Sequence, residues 1–184
     1  MIRNCLIGVG VFIAIQAGVL FWLGQPPICT CGYVKIWEGV VLSPGNSQHL
    51  ADWYTPSHII HGILFYLLAW LMFPRWSVLQ RLLLATGLEV GWEILENTPW
   101  VINLYRKQAL AQGYTGDSII NSVMDTFSMI LGFFIARRAA VWAAIAFLVF
   151  LELLAAYVIR DNLALNILGF IHQFDFISAW QMGK

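Results

Sequence analysis

Glu89, Glu93 and Glu96 lie inside one long apolar stretch, 79–97, at spacings of four and three residues. On an α-helix that spacing puts all of them within an arc of roughly 60°. A second apolar stretch, 118–136, carries Asn121 and Asp125 on one stripe, with Asp117 at its head. A carboxylate in hydrocarbon is costly, and by default it marks a functional interior rather than a lipid-facing surface. Any fold for this chain must therefore turn these stripes toward one another or toward other polar groups.

Composition points to the same environment. The 184 residues are 60% hydrophobic and 11% charged, with nine tryptophans, whereas soluble domains run nearer about 25% charged. The apolar residues come in blocks, and crossing the hydrocarbon core takes about 20 residues. Five blocks, about 5–23, 57–73, 79–97, 118–136 and 139–158, predict an all-α integral membrane bundle of five transmembrane helices in a single membrane domain, 1–184. An outer loop, 25–56, follows the first block. In the tail, 159–184, the apolar stretch 162–180 is studded with Asn166, His172, Gln173 and Asp175, which predicts an interfacial or re-entrant helix. The first block has Arg3 in front of it, as a signal peptide would. It is too long for a signal core and ends in Gly24-Gln25-Pro26-Pro27 without a small-x-small cleavage pattern, so an uncleaved span is expected. Net charge is zero, which implies no nucleic-acid partner; the lipid bilayer is the expected partner.

Positive charge sets orientation. Arg3, Arg75, Arg81, Arg137 and Arg138 fall on short connections. Lys35, Arg106, Lys107, Arg160 and Lys184 are spread over much more sequence on the other side. Density near the span ends predicts a cytoplasmic N-terminus and a polar site facing the periplasm. In this register Glu96 and Asp117 lie near the outer surface, Glu93 and Asn121 one turn down, and Glu89 and Asp125 roughly 10–12 Å deep. His58 and His61 open the second span, and Glu152 in the fifth falls at a similar depth.

The residue types suggest a chemistry. One acid could be hydrogen-bonded glue between helices, but several on facing stripes need counter-charge or protons. Asp117 is also well placed as a helix N-cap. Carboxylate and amide oxygens at helical spacing suit hard divalent cations, so Glu89, Glu93, Glu96, Asp117, Asn121 and Asp125 are the candidate ligands of a divalent metal. His58 and His61, three residues apart on one helix face, could join them as ligands, as in bundle-core metal sites. His58, His61, Glu93 and Asp125 are the candidate acid/base groups. Arg106, Arg160 and Asp161, just outside the spans, are the candidate substrate-binding residues. In the outer loop, Cys29-Thr-Cys31 makes a tight ring and hence a poor structural disulfide. It could bind a soft metal, act in redox chemistry or pair transiently. Trp37, Trp53, Tyr54, Trp92 and Trp100 read mostly as an interfacial aromatic belt.

Several motifs recur together: Cys29-x-Cys31-Gly32, Asn46-Ser-Gln-His49, Asp52-Trp-Tyr-Thr-Pro-Ser-His58-x-x-His61-Gly62, Trp92-Glu93-x-x-Glu96-Asn97, Tyr105-Arg106, Gly116-Asp117-Ser118-x-x-Asn121-Ser122-x-x-Asp125 and Arg160-Asp161-Asn162-Leu163. Together they resemble a family of small bacterial inner-membrane proteins catalogued as uncharacterised. That resemblance implies a multi-pass cell-membrane protein and no particular activity. A fainter similarity links the chain to VanZ-like membrane proteins. It rests on a glutamate-bearing helix followed by an arginine and then a helix bearing acid and asparagine. Pro56-Ser57-His58 does not make a phosphatidic-acid-type phosphatase, because the glycine between serine and histidine and the flanking arginine–histidine sets are missing. The expected function is metal-assisted chemistry on a lipid or lipid-linked headgroup. The alternative is a non-enzymatic membrane protein, either an assembly factor or a small ion- or proton-coupled carrier.

Overall fold

Residues 2–183 are described in a computed structural model of the chain. Eight helices follow in order: α1 (Ile2–Trp22), α2 (Thr55–Met72), α3 (Val78–Glu96), α4 (Pro99–Tyr105), α5 (Ile119–Arg138), α6 (Val141–Ile159), α7 (Leu163–Ile171) and α8 (Asp175–Gln181). The described residues form no strand beyond one isolated bridge, Glu38 to Asp52. The long helices match the apolar blocks to within three residues at each end, close to the usual uncertainty of helix boundaries.

Local chemistry fixes the helix starts. Ser77 and Gln80 form a reciprocal capping box at α3, satisfying two free backbone donors at once. Ser118 caps α5, Asn162 caps α7, and Thr98 with Pro99 behind it starts α4. Asp117, read from sequence as the α5 cap, is displaced from that role by its neighbour Ser118.

Helices α1, α2, α5 and α6 are long and apolar enough to cross a membrane. At about 1.5 Å per residue, the 21 residues of α1 reach about 30 Å, the thickness of the hydrocarbon core. α1 and α6 expose apolar faces that include Leu6, Val11, Ile15 and Phe21 on one and Trp142, Val149, Leu153 and Tyr157 on the other. Each is an exposed apolar face of the kind that marks a membrane or protein contact. α3 is as long but carries Arg81 and three glutamates. It sits in the middle, against α1, α2, α4 and α5, while α6 packs on α2 and α5.

The bundle has two unlike ends. An apolar core of Cys5, Ile63, Tyr66, Leu82, Ala85, Met129, Phe133, Ala136 and Ala144 fills one end. The polar residues of α2, α3 and α5 gather at the other. Between the ends, α2 and α5 cross at backbone contact. A methyl group on Gly62 would collide with the Met129 carbonyl, and one on Gly132 would collide with the Ile59 carbonyl. Helices in lipid gain little from hydrophobic exclusion, so close backbone packing through small residues is what holds such a pair.

The tail is two short helices rather than one. The chain extends at His172 (φ −157°) before α8 begins. Asp161 ties the tail down: its carboxylate accepts from Tyr54 Oη (3.0 Å), Asn162 N (3.0 Å), Asn166 Nδ2 (3.2 Å) and Gln181 Nε2 (3.2 Å). Glu152, expected to join the central acids, instead accepts from the Leu163 and Ala164 amides at the start of α7. A free helix N-terminus attracts a carboxylate by exposed N–H groups and dipole.

Substituting Gly62→Ala or Gly132→Ala should cost about 1–3 kcal/mol or more, read as a lower thermal midpoint in detergent. Gly91→Ala, with open space around the new methyl, should leave the midpoint unchanged or slightly raised; equal behaviour of all three would refute the close crossing. Burial pushes the Asp161 carboxyl up to about 6 from 3.8, so the folded chain holds that proton more tightly than the unfolded one. The resulting stability is full below about pH 4 and is lost as pH rises through about 6. Asp161→Asn should therefore remove about 2–3 kcal/mol from the fall in stability over that range, and a variant whose midpoint drops as steeply as the parent's would contradict it.

Candidate functional site

The polar end is built outward from Glu89. Its Oε1 lies 2.7 Å from His58 Nδ1 and its Oε2 lies 3.0 Å from His61 Nδ1. With Glu89 ionised, each Nδ1 must carry a proton, so a neutral imidazole keeps its lone pair on Nε2. Orientation of a histidine by a carboxylate is the usual support for a metal-binding ring. Both oxygens of Glu89 are thus engaged in holding the two rings.

Glu93, one turn on, accepts from Ser122 Oγ through Oε2 at 2.6 Å. Its Oε1 faces His58 Nδ1 at 3.2 Å, but that proton is directed at Glu89, and Oε1 is buried with no hydrogen-bond partner. Such orphaned atoms are rare in folded proteins and call for an explanation. Ser122 is held in turn by Gln16 of α1, whose Nε2 donates to it at 2.7 Å while Thr126 Oγ1 donates to Gln16 Oε1 at 2.9 Å. A lone glutamine in an otherwise apolar first block is the sequence signal for this support.

Asp125 reaches the same place from α5. Its Oδ2 is 3.8 Å from His58 Nε2, and its Oδ1 accepts from Thr55 Oγ1 at 3.4 Å. One atom each of His58, Glu93 and Asp125 lie within 4.8 Å of one another, and the same holds for Glu93, Glu96 and Asp117 and for His58, His61 and Glu89. Three overlapping triads therefore make one continuous cluster. Asp117 accepts from Asn97 Nδ2 (2.8 Å) and Tyr114 Oη (2.9 Å). Burial pushes its carboxyl up to about 6, those hydrogen bonds pulling the other way. Burial, together with the neighbouring carboxylates, also holds the Tyr105 and Tyr114 phenols well above their ordinary range, so both remain hydrogen-bond donors.

The cluster opens into a cavity of about 650 Å³. His58, His61, Glu96, Asp117 and Asp125 line its acidic wall, and Tyr54, Tyr105, Tyr114 and Trp92 line the rest with loop residues 41–48. Tyr54 and Trp92, read from sequence with the interfacial aromatics, line the cavity. Trp92 stands edge-on to His61 with ring centroids 6.4 Å apart.

Other expected residues lie elsewhere. Asn121 is buried, and its amide donates to the His49 carbonyl at 2.8 Å, tethering the outer loop to α5. Arg106 and Arg160 are exposed and outside the cavity lining; their guanidiniums donate to the carbonyls of Tyr114 (2.6 Å) and Trp180 (3.0 Å). Arg160 also ends α6 in the left-handed region (φ +58°). Asp161 is spent on the tail. These three therefore do not surround the acidic cluster. Cys29 and Cys31 are joined as a disulfide, Cα atoms 5.1 Å apart, within a turn closed by Gly32 N donating to Cys29 O at 3.0 Å. The tight ring had argued against such a link, but that separation lies inside the range a disulfide tolerates.

Charge decides what the cluster needs. Glu89, Glu93, Glu96, Asp117 and Asp125 face only two imidazoles, and among the described residues no lysine or arginine bridges any of them. Two unit charges within 4.8 Å of one another repel by about 3.5 kcal/mol or more at an effective dielectric near 20. Protons or a bound cation must offset that repulsion.

Comparisons with known proteins agree with the motif pattern. The family described as "Protein of unknown function (DUF2585)" matches residues 20–183. A UPF0314 protein of Rhizobium johnstonii is 53% identical over 171 residues, covering 93% of this chain and 88% of its own. A UPF0314 protein of Rhizobium meliloti is 54% identical over 173 residues, covering 93% and 87%. One of Paracoccus denitrificans is 47% identical over 169 residues, covering 92% and 88%. The fainter likeness to VanZ-like proteins has no counterpart among these matches, and no solved structure matches the chain. With four helices long and apolar enough to cross a membrane, the chain belongs to the DUF2585 family, in which its relatives carry the name UPF0314.

Proposed function

We propose that this chain is a multi-pass protein of the bacterial inner membrane that binds a divalent cation in its acidic cluster and uses it on the headgroup of a lipid or lipid-linked molecule. In this reading the chain is one membrane domain. α3 is a fifth span shielded by α1, α2 and α5, and α7 and α8 lie at the interface. The N-terminus is cytoplasmic, so the cavity opens toward the periplasm.

The observation that carries the proposal is uncompensated charge beside an open cavity. Glu93 Oε1 is buried without a donor, His58 Nε2 stands 3.8 Å from Asp125 Oδ2, and Glu96 and Asp117 continue the same surface. Carboxylate oxygens with one imidazole suit Mg²⁺, Mn²⁺ or a similar ion. Such an ion, when bound, polarises a phosphoryl or acyl oxygen or lowers the pKa of water.

The chain's own residues supply the remaining roles. Glu89 holds both imidazoles in one tautomer. His61, at the cavity wall beside Trp92, is placed to accept or return a proton. Tyr105 and Tyr114 present neutral phenols as donors. A cavity of about 650 Å³ is in the size range of small-molecule sites. A purely structural ion would leave that space without a role.

Protein purified in detergent, loaded with Mn²⁺ or Mg²⁺ and dialysed, should retain a divalent ion by elemental analysis. Asp125→Asn and Glu93→Gln should abolish retention, and Glu89→Gln should weaken it by about 10–100-fold, as loss of a ligand-orienting group does. Equal metal content in the parent and these variants would defeat the proposal.

A further inference from the structure

The acidic cluster has two halves that differ in what faces them. Glu89, Glu93 and Asp125 each stand against an imidazole of α2. Glu96 and Asp117 do not: among the described residues no lysine, arginine or histidine pairs with either. Asp117 is held by neutral donors, Asn97 and Tyr114, which orient a carboxylate without cancelling its charge. Both acids line the cavity. Glu93 joins the halves. One of its oxygens lies within 4.8 Å of an oxygen of Glu96 and of Asp117, and its Oε1 is buried without a hydrogen-bond partner. That orphaned oxygen at the junction is a sign, independent of the number of acids, that a ligand completes the site.

The wall beside the outer half is aromatic. Trp92, Phe170, Tyr105 and Tyr114 form a chain of edge-on contacts, successive ring centroids lying 6.4, 4.7 and 5.2 Å apart. Trp92, Tyr105 and Tyr114 present this chain to the cavity, and among the described residues no lysine or arginine lines it. Arg106, next to Tyr105 in sequence, is exposed and turned to the Tyr114 carbonyl. Carboxylates and rings without a fixed cation disfavour an anion and draw in a cation. A hard metal ion prefers oxygen ligands to ring faces and fills little of about 650 Å³. The cation that suits carboxylate and aromatic surface together is an organic ammonium.

We propose that the headgroup taken by this cavity carries an ammonium group, seated on Glu96 and Asp117 against Trp92, Tyr105 and Tyr114. The ammonium rests on the reading of the cavity as a headgroup site, but not on the divalent ion. An ion at His58, Glu93 and Asp125 offsets the two carboxylates it touches and leaves Glu96 and Asp117 to the ammonium. Leu42, Leu110 and Leu163 also line the cavity, and Leu42 is 71% exposed. They give it an apolar margin along which the chains of an amphiphile can lie.

The test uses full-length protein in maltoside detergent, stripped with EDTA or loaded with Mn²⁺, and titrated by calorimetry with two short-chain lipids. Dihexanoyl phosphatidylethanolamine and dihexanoyl phosphatidylglycerol share chains and phosphate and differ in the ammonium. The parent protein should bind the ethanolamine lipid at least about tenfold more tightly. Glu96→Gln should remove that preference, and Trp92→Ala should weaken ethanolamine-lipid binding by about 2–30-fold. Asp175→Asn, at the exposed start of α8, should change neither. Ethanolamine phosphate competing as well as the lipid would assign the site to a free amine, and competition by the lipid alone would assign it to the membrane; both keep the ammonium. In the parent protein, which needs no variant to fold, equal affinity for the two lipids or preference for the glycerol lipid would overturn the ammonium alone. Binding of neither lipid would overturn it together with the headgroup reading. Elemental analysis of the same samples separates it from the metal: an ethanolamine preference without retained Mn²⁺ removes only the ion, and retained Mn²⁺ without the preference removes only the ammonium.

Discussion

A carboxylate left in hydrocarbon must find a donor, a proton or a cation, and α3 brings three of them into the bundle. That constraint organises the molecule. It forces α3 to the centre with α1, α2 and α5 around it. It pairs Glu89 with the two histidines of α2 and Glu93 with a serine of α5. It also recruits Gln16 from α1, which has no other polar business in that span. The apolar end needs none of this and packs as ordinary side chains around Phe133 and Met129.

Much of this is legible in the sequence. The all-helical character, the positions of the long helices and the stripe of acids follow from hydrophobic blocks and from spacings of three and four. Such patterns are local properties of a chain. The three-way meeting of His58, Glu93 and Asp125 could be anticipated because residues on different spans were placed at similar depths. Depth along a helix is simple arithmetic.

What the sequence hid depends on rotation and on loops. Arg106 and Arg160 are near the right place by residue count, but their guanidiniums turn to the carbonyls of Tyr114 and Trp180. Glu152 has the right depth and the wrong azimuth, so it meets the start of α7. Asn121 looks like a ligand and is a tether, because the outer loop folds back over α5, and nothing in a hydropathy pattern announces that return. His49 shows the same limitation. Its ring comes within 4.8 Å of Cys29 and Cys31, residues eighteen or more positions away, through a loop with no repeating period to read.

The crossing of α2 and α5 bears on how anything enters the cavity. Main chains that touch without an intervening side chain cannot slide past each other or hinge apart without first losing their contact. The two helices that carry His58 and Asp125 therefore act as a fixed jaw. Traffic must be admitted by whatever borders the cavity from outside that pair: the loop of residues 41–48, the Tyr105–Tyr114 corner, or the first turn of α7 at Leu163. Breathing of this protein would be peripheral, with its acidic centre standing still.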